Sequence, residues 1–237
     1  MSTDLRPLHR FARTALTAAG VILAVILTGF VLSGSAGWTA GEMDLLRLVN
    51  TTHTAPVDAV ALSIDWLFSP AVGAVLVLLA AGSVLLATRR PGPAIRFVAV
   101  VMIPTLGADV IKLLVHRARP DIPSLPHILL LEPGGLSFPS GHTSFAACLL
   151  LGIILVTSGR RWHPFVIGTS TVVVLATAAS RVYLGVHYPS DVVASIVYSL
   201  AAVALVNAAW RLLLAHWSER GSGLPAEPVR GGVRHAR

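Results

Sequence analysis

Six long runs of apolar residues constrain this chain more than any other feature, because each is close to the length of a membrane-crossing helix. Such a helix needs about 20 predominantly apolar residues. The runs predict transmembrane helices over about 15–33, 68–87, 97–115, 143–158, 164–180 and 192–214. We therefore expect an all-α fold, a polytopic membrane protein built as a bundle of six transmembrane helices.

The composition supports this prediction by excluding the alternatives. Only 12% of the 237 residues are charged and 54% are hydrophobic, whereas soluble domains carry about 25% charged residues. A single soluble domain and a disordered chain are both excluded. The first run lacks a small-residue cleavage site followed by a soluble domain, so we expect an uncleaved helix and not a signal peptide. The single cysteine, Cys148, excludes an intramolecular disulfide and a cysteine-based metal site.

The basic residues predict the orientation of the bundle. Thirteen of the 18 Lys and Arg residues fall at the two termini and in the second and fourth loops. By the positive-inside rule both termini are cytoplasmic, and the first, third and fifth loops face outward. The Arg-rich, Ala- and Val-rich usage is typical of a GC-rich genome and favours the cell membrane of a bacterium. The basic loops lack interleaved aromatic residues, so we expect no nucleic-acid partner.

The segments outside the six runs complete the predicted domain organisation. Residues 1–14 form a cytoplasmic N-terminus, and 15–217 form one six-span domain. Within it, 41–67 has apolar residues at helical spacing and predicts short helices lying on the membrane surface in the first outward loop. The polar, Gly- and Pro-rich segment 218–237 is predicted to be a disordered cytoplasmic tail.

Three polar clusters interrupt the apolar pattern, and all three fall on the predicted outward face. The first contains the only lysine, Lys112, with Arg119 seven residues later and Pro120 after it. Two helical turns separate the two cations, so both can point to one side, and the proline ends or turns the helix. Long basic side chains also snorkel at membrane edges, but Lys112 lies inside the apolar run, where an ionisable residue is costly and usually functional.

The second cluster, Pro139-Ser140-Gly141-His142, comes directly before the fourth run. Ser140 suits a helix N-cap, and a helix N-terminus binds phosphate through its free N–H groups. Gly141 lets an anion approach the backbone. An ordinary capped helix start explains Ser140 but leaves His142 unexplained.

The third cluster runs from Ser180-Arg181 to His187 and Asp191, between the fifth and sixth runs. The four-residue spacing allows the Asp191 carboxylate to bond the His187 imidazole, which makes the free nitrogen a better nucleophile. Alone, such a pair is more often a surface contact of little consequence.

Together the clusters have the parts of a phosphoryl-transfer site: cations and helix N-termini for the phosphate oxygens, a nucleophile with its orienting carboxylate, and an acid. The outward carboxylates Asp121, Glu132 and Asp191 are scattered without metal-ligand spacing, so we expect no metal and no cofactor. A transporter is the alternative from another class, but no inverted repeat is visible and the polar residues gather at one face.

The three clusters resemble the signature of the type 2 phosphatidic acid phosphatase family of membrane lipid phosphate phosphatases. That signature reads K-x6-R-P, P-S-G-H and S-R-x5-H-x3-D, and every position is filled between residues 112 and 191. Asp109, His116 and Arg117 are additional polar residues to which we assign no role.

The resemblance implies a metal-independent mechanism with a phosphohistidine intermediate. His187 is the implied nucleophile, Asp191 its partner and His142 the acid that protonates the leaving oxygen. The implied phosphate-binding residues are Lys112, Arg119, Ser140, Gly141 and Arg181.

The resemblance also implies a lipid phosphate as substrate and membrane lipids as surroundings, with the tail entering between helices. The signature residues recognise the phosphate group and do not distinguish one lipid tail from another. An outward site in a bacterium favours a polyprenyl (undecaprenyl-type) diphosphate. Phosphatidic acid and phosphatidylglycerophosphate are the alternatives.

Overall fold

The described part of the chain is almost entirely helical. The computed structural model describes residues 6–132 and 135–221. Within these residues the α-helices are α1 (Arg6–Gly34), α2 (Ala36–Asn50), α3 (Ala55–Leu67), α4 (Pro70–Thr88), α5 (Pro91–Val115), α6 (Gly141–Val156), α7 (His163–Tyr183) and α8 (Pro189–Gly221), with a 3₁₀ turn at Ile122–Ser124. The all-α fold is confirmed.

Five of these helices, α1, α4, α5, α7 and α8, are long and apolar enough to cross a membrane. Most of their apolar surface is not covered by protein: in the most apolar window of α4 only 11% is buried, and Leu86 on that helix is 80% exposed. Surfaces of this kind are stable against lipid and not against water. The chain is a multi-pass membrane protein.

The count of six spans stays a prediction, because the helix at the fourth predicted span is short. Helix α6 has 16 residues, and at about 1.5 Å per residue it is roughly 24 Å long. The hydrocarbon core is about 30 Å thick. Unlike the others, α6 is mostly enclosed by protein, with Ala146 and Cys148 fully buried.

Small residues let α6 sit at the centre of the bundle, packed on α5, α7 and α8. A side chain at Gly152 would place its Cβ 2.9 Å from Val101 and 3.0 Å from Phe97, both on α5. Close approach at small residues is typical of helices packed inside a membrane, where no hydrophobic effect drives them together. The packing fixes the N-terminus of α6 relative to the ends of α5 and α8.

The segment 41–67 forms helices, as predicted, but these helices also join the bundle. Helices α2 and α3 pack against α7. The turn between them is fixed to α7 by Tyr183, whose hydroxyl donates to Asp58 at 2.6 Å and accepts from the Thr54 N–H at 3.1 Å. Asp58 also contacts His53 Nδ1 at 2.9 Å. The segment 41–67 is therefore a structured cover over one end of the bundle.

The two ends of the chain are more helical than the sequence suggests. Helix α1 begins at Arg6, within the predicted N-terminal segment, and α8 continues to Gly221. The first four residues of the predicted disordered tail thus belong to α8. The rest of that tail, 222–237, lies outside the described residues.

Candidate active site

The three polar clusters meet at one end of the bundle. The end of α5 carries Lys112, the following segment carries Arg119, and the N-terminus of α6 follows Ser140. Arg181 lies in the last turn of α7, while His187 and Asp191 flank the start of α8. The structure therefore brings together all eight residues singled out from the sequence: Lys112, Arg119, Ser140, Gly141, His142, Arg181, His187 and Asp191.

A tight turn between α7 and α8 sets the position of His187. Gly185 adopts φ +72°, and a Cβ there would lie 2.3 Å from Leu125, so only glycine fits. The Val186 N–H donates to the Arg181 carbonyl at 3.1 Å. The turn leaves His187 only 1% exposed and pointing at the first turn of α8.

His187 faces a fully buried carboxylate. Its Nδ1 lies 3.4 Å from Asp191 Oδ2, which is longer than an ordinary N–H···O bond, as is common in a site without substrate. The same oxygen accepts the Tyr188 N–H at 3.0 Å. This arrangement favours the tautomer with the proton on Nδ1 and leaves Nε2 with its lone pair free.

Burial and nearby cations keep His187 neutral. Desolvation lowers the pKa of His187 to about 4, with the Arg119 and Lys112 charges adding to the decrease and Asp191 opposing it. Because imidazole attacks only in its neutral form, the side chain is available as a nucleophile at any pH well above 4.

Two arginines of the site have unpaired donors. Arg181 is fully buried, and its Nε and Nη2 have no hydrogen-bond partner among the described residues. Arg119 donates from Nη1 to the Val186 carbonyl at 3.0 Å, while its Nε is also unpaired within the described part of the chain. Buried guanidinium groups with free N–H donors are suited to an oxyanion.

The N-terminus of α6 lies next to Lys112. A Cβ at Gly141 would lie 3.4 Å from Lys112 Nζ, so the absence of a side chain lets the ammonium approach this backbone. Ser140 occupies the N-cap position as expected, but its side chain makes no capping bond. Its hydroxyl instead accepts from Thr143 Oγ1 at 3.1 Å, and the free N–H groups of the helix start remain available to an anion.

Two carboxylates absent from the sequence-based site lie among these cations. Asp65 on α3 contacts Arg181 Nη1 at 2.6 Å and His142 Nε2 at 3.3 Å through one oxygen, Oδ1. Glu132 contacts both Arg119 and Arg181. No spacing in the sequence connects Asp65 to Arg181, 116 positions away.

Asp65, Glu132 and His142 could by position hold a metal ion, since their ligand atoms lie within 4.8 Å of one another. The same carboxylates already face two guanidinium groups. This positive charge disfavours a further cation at that point and favours an anion once the carboxylates move aside.

Arg117, to which the sequence assigned no role, is the most buried cation in the described structure along with Arg181. Its Nη1 donates to Asp191 Oδ1 at 2.7 Å, and its Nη2 donates to Glu42 Oε2 on α2 at 2.7 Å. By contrast, Asp109 and His116 are exposed.

The chain belongs to the PAP2 superfamily, whose family model matches residues 93–214. That range covers every signature residue and the four helix ends that carry them: the end of α5, the start of α6, the end of α7 and the start of α8. The family identified from the three sequence clusters is confirmed.

Curated relatives are phosphatases of lipid phosphates. The decaprenylphosphoryl-5-phosphoribose phosphatase of Mycobacterium tuberculosis is 37% identical over 102 residues, which cover 42% of this chain and 51% of the relative. The phosphatidylglycerophosphatase B of Bacillus subtilis is 33% identical over 105 residues, covering 41% of this chain and 48% of the relative. The undecaprenyl-diphosphatase of the same organism is 30% identical over 90 residues, covering 38% and 44%. The chain thus spans about half the length of these curated relatives.

The fold is also that of a solved membrane protein of this superfamily. The crystal structure of a transmembrane PAP2-type phosphatidylglycerolphosphate phosphatase from Bacillus subtilis matches with a TM-score of 0.67 and 19% identity. The match covers 90% of this chain and 98% of that one. At this identity the comparison establishes the fold alone.

Proposed function

We propose that this protein is a metal-independent lipid phosphate phosphatase that acts through a phosphohistidine on His187. The observation that carries the proposal is His187, a buried imidazole whose Nδ1 lies 3.4 Å from Asp191 and whose neighbour Val186 accepts a hydrogen bond from Arg119, in a site where Arg119 and Arg181 have unpaired N–H groups. A nucleophile with an orienting carboxylate, in a site that also holds unpaired cationic donors, is the arrangement that phosphoryl transfer needs.

In the first step His187 Nε2 attacks phosphorus, and the bond from phosphorus to the leaving oxygen breaks. His142 gives its proton to that oxygen, so a neutral alcohol or a protonated phosphate departs. Burial and the Arg181 charge lower the pKa of His142 to about 4 in the site without phosphate, so this step requires the negative charge of the bound phosphate to raise that pKa and keep the ring protonated. Asp191 stabilises the positive charge that develops on the His187 ring. The phosphate oxygens are bound by Arg119, Arg181, Lys112, the Ser140 hydroxyl and the Gly141 N–H.

In the second step water attacks the phosphohistidine, and the phosphorus–nitrogen bond breaks. His142, now neutral, takes the proton from the water. Free phosphate leaves, and His187 and His142 return to their starting protonation states. The cations replace the charge neutralisation that a metal supplies in other phosphatases.

For the substrate we propose a polyprenyl (undecaprenyl-type) diphosphate, with phosphatidylglycerophosphate or phosphatidic acid as the alternative. The named substrates of the relatives support both classes. The site itself supports a phosphate with an apolar tail, since the helices around it expose apolar side chains to the membrane.

We further propose that the site faces outward in a bacterial cell membrane, with both termini cytoplasmic. The distribution of the basic residues supports this orientation. Single cysteines at Ser124 and Ser158, in a Cys148→Ala background, test it with a membrane-impermeant thiol reagent. We expect Ser124→Cys to react in intact cells and Ser158→Cys only after lysis; the opposite pattern would invert the topology.

A substrate panel in detergent with EDTA tests the function. We expect phosphate release from polyprenyl diphosphate, phosphatidylglycerophosphate or phosphatidic acid, with the highest kcat/KM for the diphosphate, and loss of release in His187→Ala. Folded wild-type protein that releases no phosphate from any of the three would refute the proposal. Activity that requires a divalent metal would refute the metal-independent mechanism.

A further inference from the structure

We propose that Glu42 and Arg117 are positioning residues for the nucleophile, acting through Asp191. The inference rests on the proposed function. It concerns a chain of buried ion pairs that runs from α2 to the start of α8, and neither residue was assigned a role from the sequence. We call Glu42, Arg117 and Asp191 the ion-pair chain.

Arg117 connects two carboxylates from distant parts of the sequence. Its side chain is 2% exposed, and its partners Glu42 and Asp191 are 10% and 0% exposed. Both contacts are 2.7 Å long and use different nitrogens, Nη2 and Nη1. The planar guanidinium thus fixes the two carboxylates relative to each other, which a lysine could not do.

Glu42 accepts two further hydrogen bonds, both from Ser190. Its Oε1 accepts the Ser190 N–H at 2.8 Å, and its Oε2 accepts the Ser190 hydroxyl at 2.9 Å. Glu42 therefore binds the first turn of α8 as an N-terminal carboxylate does, 148 positions away in sequence. Glu42 on α2 therefore holds both Arg117, which bonds the Asp191 carboxylate, and Ser190, which precedes Asp191 in the sequence.

The charge of the ion-pair chain explains why a second carboxylate is useful. Arg117 alone would neutralise Asp191 and weaken its attraction for the positive charge that forms on His187. With Glu42 present the three residues sum to one negative charge. That charge lies in a buried region, where electrostatic interactions are stronger than in water.

Asp191 is thereby fixed for its task. One oxygen, Oδ1, accepts from Arg117, and the other, Oδ2, faces His187 and the Tyr188 N–H. Rotation of the carboxylate would break the Arg117 bond, so Oδ2 stays directed at His187 Nδ1. The proposed phosphate-binding residues Arg119, Arg181 and Lys112, in contrast, form no hydrogen bond or ion pair with Glu42 or Arg117 in the part of the chain that the structure describes. The ion-pair chain should therefore act on turnover and not on binding.

The test uses Glu42→Gln, which keeps the size of the side chain and an oxygen for Ser190 but removes the charge. The matched control is Asp44→Asn on the same helix, since Asp44 is 74% exposed and pairs with the exposed Arg47. We expect kcat of Glu42→Gln to fall about 10- to 100-fold, the effect of one charged hydrogen bond. We expect KM and the inhibition constant of inorganic phosphate to stay within about twofold, and the control to match wild type.

A double-mutant cycle separates the ion-pair chain from independent effects. If Glu42 acts through Arg117, the variant carrying both Glu42→Gln and Arg117→Gln should lose no more kcat than Arg117→Gln alone. Losses that multiply would contradict the coupling. So would a Glu42→Gln variant whose kcat equals that of Asp44→Asn, or whose loss appears equally in KM and in phosphate inhibition.

Glu42→Asp keeps the proposal testable if Glu42→Gln does not fold. We expect the kcat of this conservative variant to be about tenfold or more above the kcat of Arg117→Gln. A folded Glu42→Asp variant whose kcat is as low as that of Arg117→Gln, or whose loss appears equally in KM and in phosphate inhibition, would overturn the proposal. An inactive wild-type protein would instead refute the proposed function, so the two failures are distinguishable.

Discussion

The two histidines at the site lie beside carboxylates that are held in opposite ways. Asp191, next to His187, is fully buried and bonded to Arg117 and the Tyr188 N–H. Asp65, next to His142, is 21% exposed and shares one oxygen between His142 and Arg181. A carboxylate fixed from several directions can orient a nucleophile. A carboxylate that pairs with an arginine proposed for phosphate binding competes with the phosphate for the charge of that arginine.

The same contrast extends to Glu132, which contacts Arg119 and Arg181 from the loop before α6. Asp65 and Glu132 place carboxylate oxygens against the cations that we propose for the phosphate oxygens. We therefore expect them to compete with a phosphate for these cations. The two regions therefore predict opposite mutational effects, a loss of turnover on one side and tighter anion binding on the other.

The largest effect is expected from neutralising the fixed carboxylate. Asp191→Asn should lower kcat by roughly 10³- to 10⁴-fold, because an amide can neither fix the His187 tautomer nor balance the charge on its ring. Asp65→Asn is the matched variant beside the other histidine, and its kcat should fall much less, by about tenfold or less. Steady-state kinetics on one lipid phosphate measure both, and equal losses would remove the distinction between the two carboxylates.

The next effect concerns the acid. His142→Ala should lower kcat by about 10²- to 10⁴-fold on a lipid alcohol, the usual contribution of general acid catalysis. A substrate with a nitrophenol leaving group needs no protonation, so the loss in the first step should shrink on it. The test compares the burst of nitrophenol in wild type and variant. An unchanged loss on this substrate would mean that His142 does not serve as the acid.

A smaller effect of opposite sign is expected at the competing carboxylates. Glu132→Gln should tighten inhibition by inorganic phosphate about three- to fivefold, the value of one partly exposed ion pair. The exposed Asp121 lies in the same connection between α5 and α6. Asp121→Asn therefore controls for the loss of one negative charge from this segment. Weaker phosphate inhibition in Glu132→Gln would show that Glu132 holds Arg119 and Arg181 in place for phosphate and does not compete with phosphate for them.

The smallest effect is on stability. His187 has a pKa of about 4 in the folded protein, below its ordinary value near 6.5. Between these two pH values the unfolded chain binds more protons, so this histidine makes stability increase as pH rises through that window. His187→Gln should therefore reduce the loss of thermal stability between pH 7 and pH 4.5 in detergent. An unchanged slope would mean that His187 is not buried in its neutral form.

The sequence predicts the parts of this molecule whose signal is local. The apolar runs locate α4, α6 and α7 within about three residues at each end, whereas α5 begins six residues before its run and α8 ends seven residues after its run. The signature spacing identifies Lys112, Arg119 and Arg181 together with both histidines. Local patterns carry this information because helix periodicity and short motif spacing are properties of neighbouring residues.

The remaining residues depend on contacts that no local pattern encodes. Arg117 meets Glu42 across 75 positions and Asp65 meets Arg181 across 116. Glu42 and Asp65 lie on α2 and α3, whose apolar spacing predicts surface helices and does not indicate that one face of each closes the site. Only the packing of α2 and α3 on α7 brings these carboxylates to the cations.

Direct trapping of the phosphorylated enzyme tests the central claim, that His187 is the nucleophile held by the fixed carboxylate. Wild-type protein is mixed with a substrate carrying a radioactive phosphate, quenched in alkali, in which phosphohistidine is stable, and digested. We predict label on the peptide that contains His187, none in His187→Ala, and label that disappears after acid treatment. Label on another residue, or turnover in His187→Ala, would contradict the account.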